Sequence, residues 1–281
     1  MQLKNLTQHI INKNSFLCVG LDTELKRLPK HLQQQPNAVL QFNKAIIDAT
    51  KDYCVSYKIN TAFYEAMGAK GWDIMEATLH YIPATHFSIA DAKRGDIGNT
   101  AAQYARTFFE VYPFDAVTVA PYMGEDSIRP FLEYNQKVTI VLGLTSNKGS
   151  EDFEQLIVQE TGGNSGAYSQ KKLYEKVIEK VANWGTTEQL MFVVGATKTV
   201  EMKQIRSIVP EHFFLVPGVG AQGGNLNEVA DFGWNKNVGL LVNASRSIIY
   251  ADDTENFQIT AAAAAAKYQL IMQQILSQKL L

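Results

Sequence analysis

From Phe87 to Thr100 the chain reads Phe-Ser-Ile-Ala-Asp91-Ala-Lys93-Arg94-Gly-Asp96-Ile97-Gly-Asn-Thr100. A short apolar run stops abruptly in four charges and then turns through Gly95 and Gly98. On a strand over 87–93, Asp91 and Lys93 stand at i and i+2 and share a face. Opposite charges at the end of an otherwise buried strand are costly to keep for structure alone. They are common in active sites, where neighbours set their pKa values. An ammonium flanked by carboxylates stays charged, so it suits electrostatic stabilisation and proton delivery better than nucleophilic attack.

Strand-like runs occur at 16–21, 54–59, 87–90, 116–120, 138–142, 191–194, 213–216 and 238–242. Amphipathic stretches lie between them at 39–51, 72–81, 100–109, 127–134, 173–184 and 200–208, with a weak one at 226–232 and a last one at 258–276. Eight strand-then-helix units without a linker predict one α/β domain over residues 1–281, a (β/α)8 TIM barrel. Periodicity alone leaves a doubly wound open sheet as the alternative. The alanine run at 261–266 fits a final helix packed closely on the barrel. Residues 145–168, rich in Gly, Ser, Asn and acids, read as a long loop after strand 5, either a functional lid or a tolerated surface insertion.

In such a barrel the site lies at the C-terminal strand ends. Polar residues do collect there: Gly20-Leu-Asp22, Lys58-Ile-Asn60, Asp91-Ala-Lys93, Thr145-Ser146-Asn147, the stretch from Pro217 through Gln222 to Gly224, and Asn243-Ala-Ser-Arg246. Glycines 218, 220, 223 and 224 let backbone amides converge on an anion. Arg246 can clamp the same anion, and the last two strand ends are a recurrent phosphate site in barrels. A phosphorylated ligand follows.

Other classes lose support. The 281 residues carry a net charge of −2 and are 46% hydrophobic, so no broad basic field points to nucleic acid or an anionic membrane. No apolar run reaches the roughly 20 residues of a membrane helix, and residues 1–14 lack the apolar core of a signal peptide. Cys18 and Cys54 read as buried reduced thiols of a cytoplasmic protein. Neither a Walker A pattern nor a G-x-S-x-G elbow is present. The five histidines (9, 31, 80, 86 and 212) lack metal spacing and read as surface or helix-packing residues. Arg94-Gly95-Asp96, which spells an adhesion tripeptide, and the glycosylation-like Asn5-Leu-Thr and Asn243-Ala-Ser read as coincidences.

The string Asp91-Ala-Lys93-Arg-Gly-Asp96-Ile97-Gly-Asn-Thr100 resembles the D-x-K-R-G-D-I-x-x-T signature of the orotidine 5′-monophosphate decarboxylase family, in its longer bacterial branch. Gly20-Leu-Asp22, Lys58, Thr145-Ser146-Asn147, the 217–222 stretch and Arg246-Ser247 follow in the family's order. The resemblance implies a homodimeric barrel, with no cofactor and no metal, that makes UMP in pyrimidine biosynthesis. By that resemblance Lys58, Asp91, Lys93 and Asp96 form the catalytic array, with Lys93 stabilising and protonating a carbanion at C6. Asp96, Ile97 and Thr100 would reach the partner subunit's site. Asp22 and Lys58 would contact the ribose, Ser146 the pyrimidine edge, and Gln222 and Arg246 the phosphate. The competing readings are a Mg²⁺-dependent sugar-phosphate synthase on a related barrel and a non-catalytic nucleotide-binding regulator.

Overall fold

A computed structural model describes residues 1–161, 168–220 and 223–280. Eight parallel strands close into a barrel: β1 (Leu17–Gly20), β2 (Ser56–Asn60), β3 (Phe87–Arg94), β4 (Ala116–Val119), β5 (Val138–Leu144), β8 (Leu190–Val194), β9 (Phe213–Pro217) and β10 (Leu240–Ala244). β10 pairs with β1, with Cys18 beside Asn243, so the sheet is closed and the open-sheet alternative falls. β6 (Ile157–Thr161) and β7 (Tyr168–Lys172) form a separate antiparallel pair after β5.

The strands read as continuous apolar runs because both of their faces are covered: β1, β4, β8 and β10 are buried at every position. Helices cover the outside with one apolar stripe each. Ala38–Thr50 buries Val39, Phe42, Ile46 and Ile47, at helical spacing, and packs on Phe257–Lys279, which turns Ala261 and Ala265 inward. The alanines permit that close approach, and burying a residue such as Phe42 contributes about 1.5–3 kcal/mol. No helix among the described residues is long and apolar enough to cross a membrane.

Several elements depart from the sequence expectation. The expected helix at 127–134 is a 3₁₀ turn, Glu125–Ser127, and a four-residue helix, Arg129–Leu132. Pro130 sits in its first turn and supplies no N–H to continue a helix backwards. The weak stretch at 226–232 is a helix, Leu226–Gly233, whose start is secured by the Asn225 side chain accepting from the Asn227 amide at 2.9 Å. Residues 6–13 form an unanticipated helix because Leu6 and Ile10, one turn apart, are buried. The expected loop at 145–168 contains a 3₁₀ turn, Lys148–Glu151, and most of the β6–β7 hairpin, with 162–167 outside the described residues. Backbone bonds from Leu173 to Leu156 and from Tyr174 to Glu154, both 2.8 Å, close the hairpin's base.

Cys18 and Cys54 are buried and free. Two histidines are more buried than expected. His86 and His212 precede β3 and β9, at the barrel end opposite the charged residues, and burial lowers both to about 4. The Arg94 guanidinium turns inward to pair with Glu65, and Asn243 is buried, so neither the adhesion nor the second glycosylation pattern is presented at the surface.

Candidate active site

Register brings the charges together. Gly20 aligns with Lys58, and Asn60 with Asp91, so the ends of β1, β2 and β3 meet at one level. Lys58 is 4% exposed, and its Nζ lies 2.8 Å from Asp91 Oδ2 and 3.4 Å from Asp22 Oδ1. Lys93 Nζ lies 2.5 Å from Asp91 Oδ1. The result is a row of alternating charge: Asp22, Lys58, Asp91, Lys93. Burial opposes the Asp91 carboxylate, but Lys58 and then Lys93 outweigh it and hold its carboxyl well below the usual range. Burial likewise opposes the Lys58 ammonium, yet Asp91 and then Asp22 raise it above its ordinary value. The row is therefore ionised at neutral pH from Lys58 to Asp91.

β3 does not reach Lys93 as a regular strand. Ala90 aligns with Val117 and Arg94 with Val119, so Asp91, Ala92 and Lys93 stand against Thr118 alone. Lys93 takes φ +47, the left-handed region that side chains disfavour. The expectation that Asp91 and Lys93 share a face by strand alternation is thus corrected: they meet across a bulge. On its far side Arg94 donates to Ala92 O at 3.0 Å, pairs with Glu65, and stacks over the Tyr104 and Phe108 rings.

The row lines a cavity of about 280 Å³ at the C-terminal mouth of the barrel, to which all six expected strand ends contribute. Ser146 and Asn147 line it from β5, Gly218 and Val219 from β9, and Asn243, Ser245 and Arg246 from β10. Gly195 is required here, because a Cβ at that position would lie 2.8 Å from the Ser146 Cβ. Gly218, Gly220 and Gly223 all have positive φ, and they fold the loop back so that the Gly224 amide donates to Gly218 O at 3.2 Å. Arg246 is exposed at the rim, and its side chain makes no hydrogen bond or ion pair among the described residues. Its guanidinium is available to an anion.

Six expected residues converge: Asp22, Lys58, Asp91, Lys93, Ser146 and Arg246. Three do not. Asp96 is not in the array within one chain, since its carboxylate caps the Ile97 amide at 2.8 Å, just before the helix Gly98–Arg106 begins. Ile97, 57% exposed, and Thr100, also exposed, lie away from the cavity. Gln222 lies outside the described residues. Two further residues outside the expected set bear on the site's polar contacts. Asn243 presents a buried amide oxygen with no partner among the described residues, and its place at a strand end was a visible signal. Thr118 touches both Asp91 and Lys93, but in the sequence it is one more β-branched strand residue. Among the described residues no group of three or more His, Cys, Asp or Glu is placed to hold a metal ion.

Residues 15–257 match the model of the orotidine 5′-phosphate decarboxylase / HUMPS family. The orotidine 5′-phosphate decarboxylase of Bacteroides fragilis is 55% identical over 272 residues, 96% of either chain. That of Phocaeicola vulgatus is 54% identical over 281 residues, 99% of this chain and 100% of its own. Among solved structures, the Leishmania donovani OMP decarboxylase superposes with a TM-score of 0.81 at 34% identity, covering 98% of both chains. The UMP synthase of the same organism superposes with a TM-score of 0.82 at 36% identity, over 98% of this chain and 56% of that one.

Proposed function

The chain belongs to the orotidine 5′-phosphate decarboxylase / HUMPS family, and we propose that its charged row carries out the family's carboxy-lyase reaction through Lys93. The reaction is decarboxylation of orotidine 5′-monophosphate (OMP) to UMP, the last step of pyrimidine nucleotide synthesis de novo. The observation that carries the mechanistic reading is the Asp22–Lys58–Asp91–Lys93 row at the cavity.

The bond from C6 to the carboxylate breaks, CO₂ leaves, and the electron pair stays on C6 in the plane of the ring, where no π-system spreads it. The Lys93 ammonium stabilises that developing charge and then transfers a proton from Nζ to C6, giving UMP. Lys93 recovers its proton from solvent. Asp91, itself held by Lys58, keeps the ammonium in place before substrate arrives, so little reorganisation is needed at the moment of reaction. In this scheme Asp91 sits beside the departing carboxylate. Two unit charges ~4 Å apart repel by ~4 kcal/mol at an effective dielectric of ~20, and neutral CO₂ relieves this. The scheme calls for no metal or cofactor, because the cation is a side chain.

Asp22 and Lys58 bind the ribose hydroxyls, Ser146 reads the pyrimidine edge, and Arg246, Gln222 and the glycine-rich loop hold the phosphate. The remote phosphate contributes binding energy that draws the loops over the reacting ring. The protein works as a cytoplasmic homodimer of one barrel domain per chain. Each subunit lends Asp96, Ile97 and Thr100 to its partner's site. In favour of this, Ile97, Tyr122 and Met123 are large apolar side chains exposed on the same rim, at 57%, 86% and 49%.

Ultraviolet-monitored decay of OMP with purified protein in excess EDTA tests the reading. Conversion to UMP is expected, which also excludes the Mg²⁺-dependent synthase. Folded protein that binds UMP without converting OMP would overturn the reading in favour of a non-catalytic binder.

A further inference from the structure

We propose that Thr118 is a positioning residue for the reaction, a buried hydroxyl that sets the geometry of Asp91 and Lys93 together; this rests on the catalytic roles proposed above. Between Ala90↔Val117 and Arg94↔Val119, β3 carries three residues against one on β4, and that one is Thr118. The ladder is broken there, and backbone amides that lose a ladder partner must find another. The Lys93 amide finds Thr118 Oγ1, at 2.9 Å. That bond pins the residue whose backbone is left-handed at φ +47, a conformation that surroundings must enforce.

The direction of the second bond then follows from counting protons. A threonine hydroxyl has one hydrogen and accepts through its lone pairs. Thr118 accepts from Lys93 N–H, so its own hydrogen is free for Asp91 Oδ1, 3.0 Å away. Asp91 Oδ1 accordingly accepts from Thr118 and from Lys93 Nζ, while Oδ2 accepts from Lys58. One hydroxyl, 1% exposed, thereby holds the carboxylate and the backbone of the lysine that carboxylate faces. Thr118 does not line the cavity, so it acts through its two partners and not on substrate. Valine fills the same volume and suits a strand equally well. Packing therefore does not require the hydroxyl; the two bonds do.

The experiment compares Thr118→Val, which removes the hydroxyl, with Thr118→Ser, which keeps it. In T118V we expect kcat on OMP to fall about 10- to 100-fold, equivalent to about 1.4–2.7 kcal/mol, while affinity for UMP stays within about twofold. T118S should retain at least about a third of wild-type kcat, because its hydroxyl makes both bonds. The acid limb of the T118V profile should move to higher pH. The carboxylate loses a donor there, while the charged groups facing it, Lys58 from β2 and Lys93 from its own strand, remain, with Asp22 behind Lys58. T118V with kcat within twofold of wild type would overturn the inference, as would T118S failing as severely as T118V. A loss of UMP affinity in step with kcat would also overturn it. One readout does not pass through turnover: in crystals of T118V, Lys93 should leave φ +47 and separate from Asp91. An unchanged backbone and contact would refute the positioning role even if wild-type protein failed to decarboxylate OMP, whereas that failure alone would refute only the proposed chemistry.

Discussion

Replacing Lys58 with methionine tests whether the charged row is electrostatically coupled or merely adjacent. The ammonium is 2.8 Å from Asp91 and 3.4 Å from Asp22, and its side chain is 5% exposed. At an effective dielectric of ~20 those distances give gross attractions of about 6 and about 5 kcal/mol, most of which offset the cost of burying the ions. Methionine fills the space but leaves Asp91, 11% exposed, with Lys93 as its remaining cation, and the Lys93 side chain is 51% exposed and better screened. Stranding one partner of a buried pair costs about 3–5 kcal/mol, and the surviving contact to Lys93 reduces this to about 3. The melting midpoint should drop by about 6–12 °C. The pH dependence has a definite sign. In the wild type the depressed Asp91 carboxyl contributes stability that is present above the unfolded carboxyl value of ~3.9 and lost as pH falls through its folded value. The raised Lys58 contributes stability fully present below ~10.4, so it is constant across the acidic range. In the variant, burial of Asp91 is less well opposed, its folded value rises, and protonation relieves the penalty. Equilibrium denaturation of both proteins at pH 7 and near pH 4.5 should therefore show a gap that narrows on acidification. Equal midpoints at pH 7, or a gap that widens in acid, would refute the reasoning.

Lys93→Ala should lose at least about 10⁴-fold in turnover, since both charge stabilisation and proton delivery go, while calorimetry shows UMP binding retained. Lys93→Gly should be just as inactive yet more stable than Lys93→Ala by about 1 kcal/mol in denaturant titration, because glycine alone adopts φ +47 without strain. Mixing inactive Lys93→Ala and Asp96→Ala subunits in equal amounts should restore about a quarter of wild-type activity, half the dimers being hybrids with one intact site. Proven subunit exchange without recovery would count against the shared site. Arg246→Ala should raise KM about 10- to 100-fold through loss of one charge-assisted contact, and steady-state kinetics that leave KM unchanged would remove Arg246 from the phosphate site.

The barrel was legible because its strands are buried on both faces and spell themselves out as apolar runs such as Leu17-Cys-Val, whose neighbours then fall into place at strand-plus-helix spacing. The site was legible at the strand ends, where Asp22, Lys58, Asp91, Lys93, Ser146 and Arg246 interrupt those runs and do meet. What sequence could not convey was three-dimensional irregularity. The bulge in β3 has no composition signal, as neither Ala92 nor Lys93 marks a left-handed turn the way glycine would. The β6–β7 pair was hidden because its strands, Ile157 to Thr161 and Tyr168 to Lys172, are mostly polar without apolar alternation and flank a Gly- and Ser-rich stretch that reads as loop. Thr118 was invisible for a different reason: its importance lies in what stands beside it across the sheet, at a distance of 25 residues from Lys93. Asp96 and Ile97 point away from their own cavity, so their expected roles depend on surfaces that a single chain does not contain.

The base of the β6–β7 hairpin carries a consequence for how such proteins change over time. Leu156 and Leu173 are joined by a backbone hydrogen bond, so the chain enters and leaves the hairpin through one doorway. Glu154, just before that doorway, accepts from the Thr145 amide and hydroxyl, both at 2.8 Å, and so ties it to the rim of the cavity. Everything from 157 to 172 can lengthen, shorten or be exchanged without moving the barrel's own ends, and adding residues to a closed loop costs only about 0.6 kcal/mol per doubling. Lineages carrying this barrel could thus trade whole hairpins beside the mouth while the strands below stay untouched. The hairpin is a replaceable cartridge, and its anchoring glutamate is the socket.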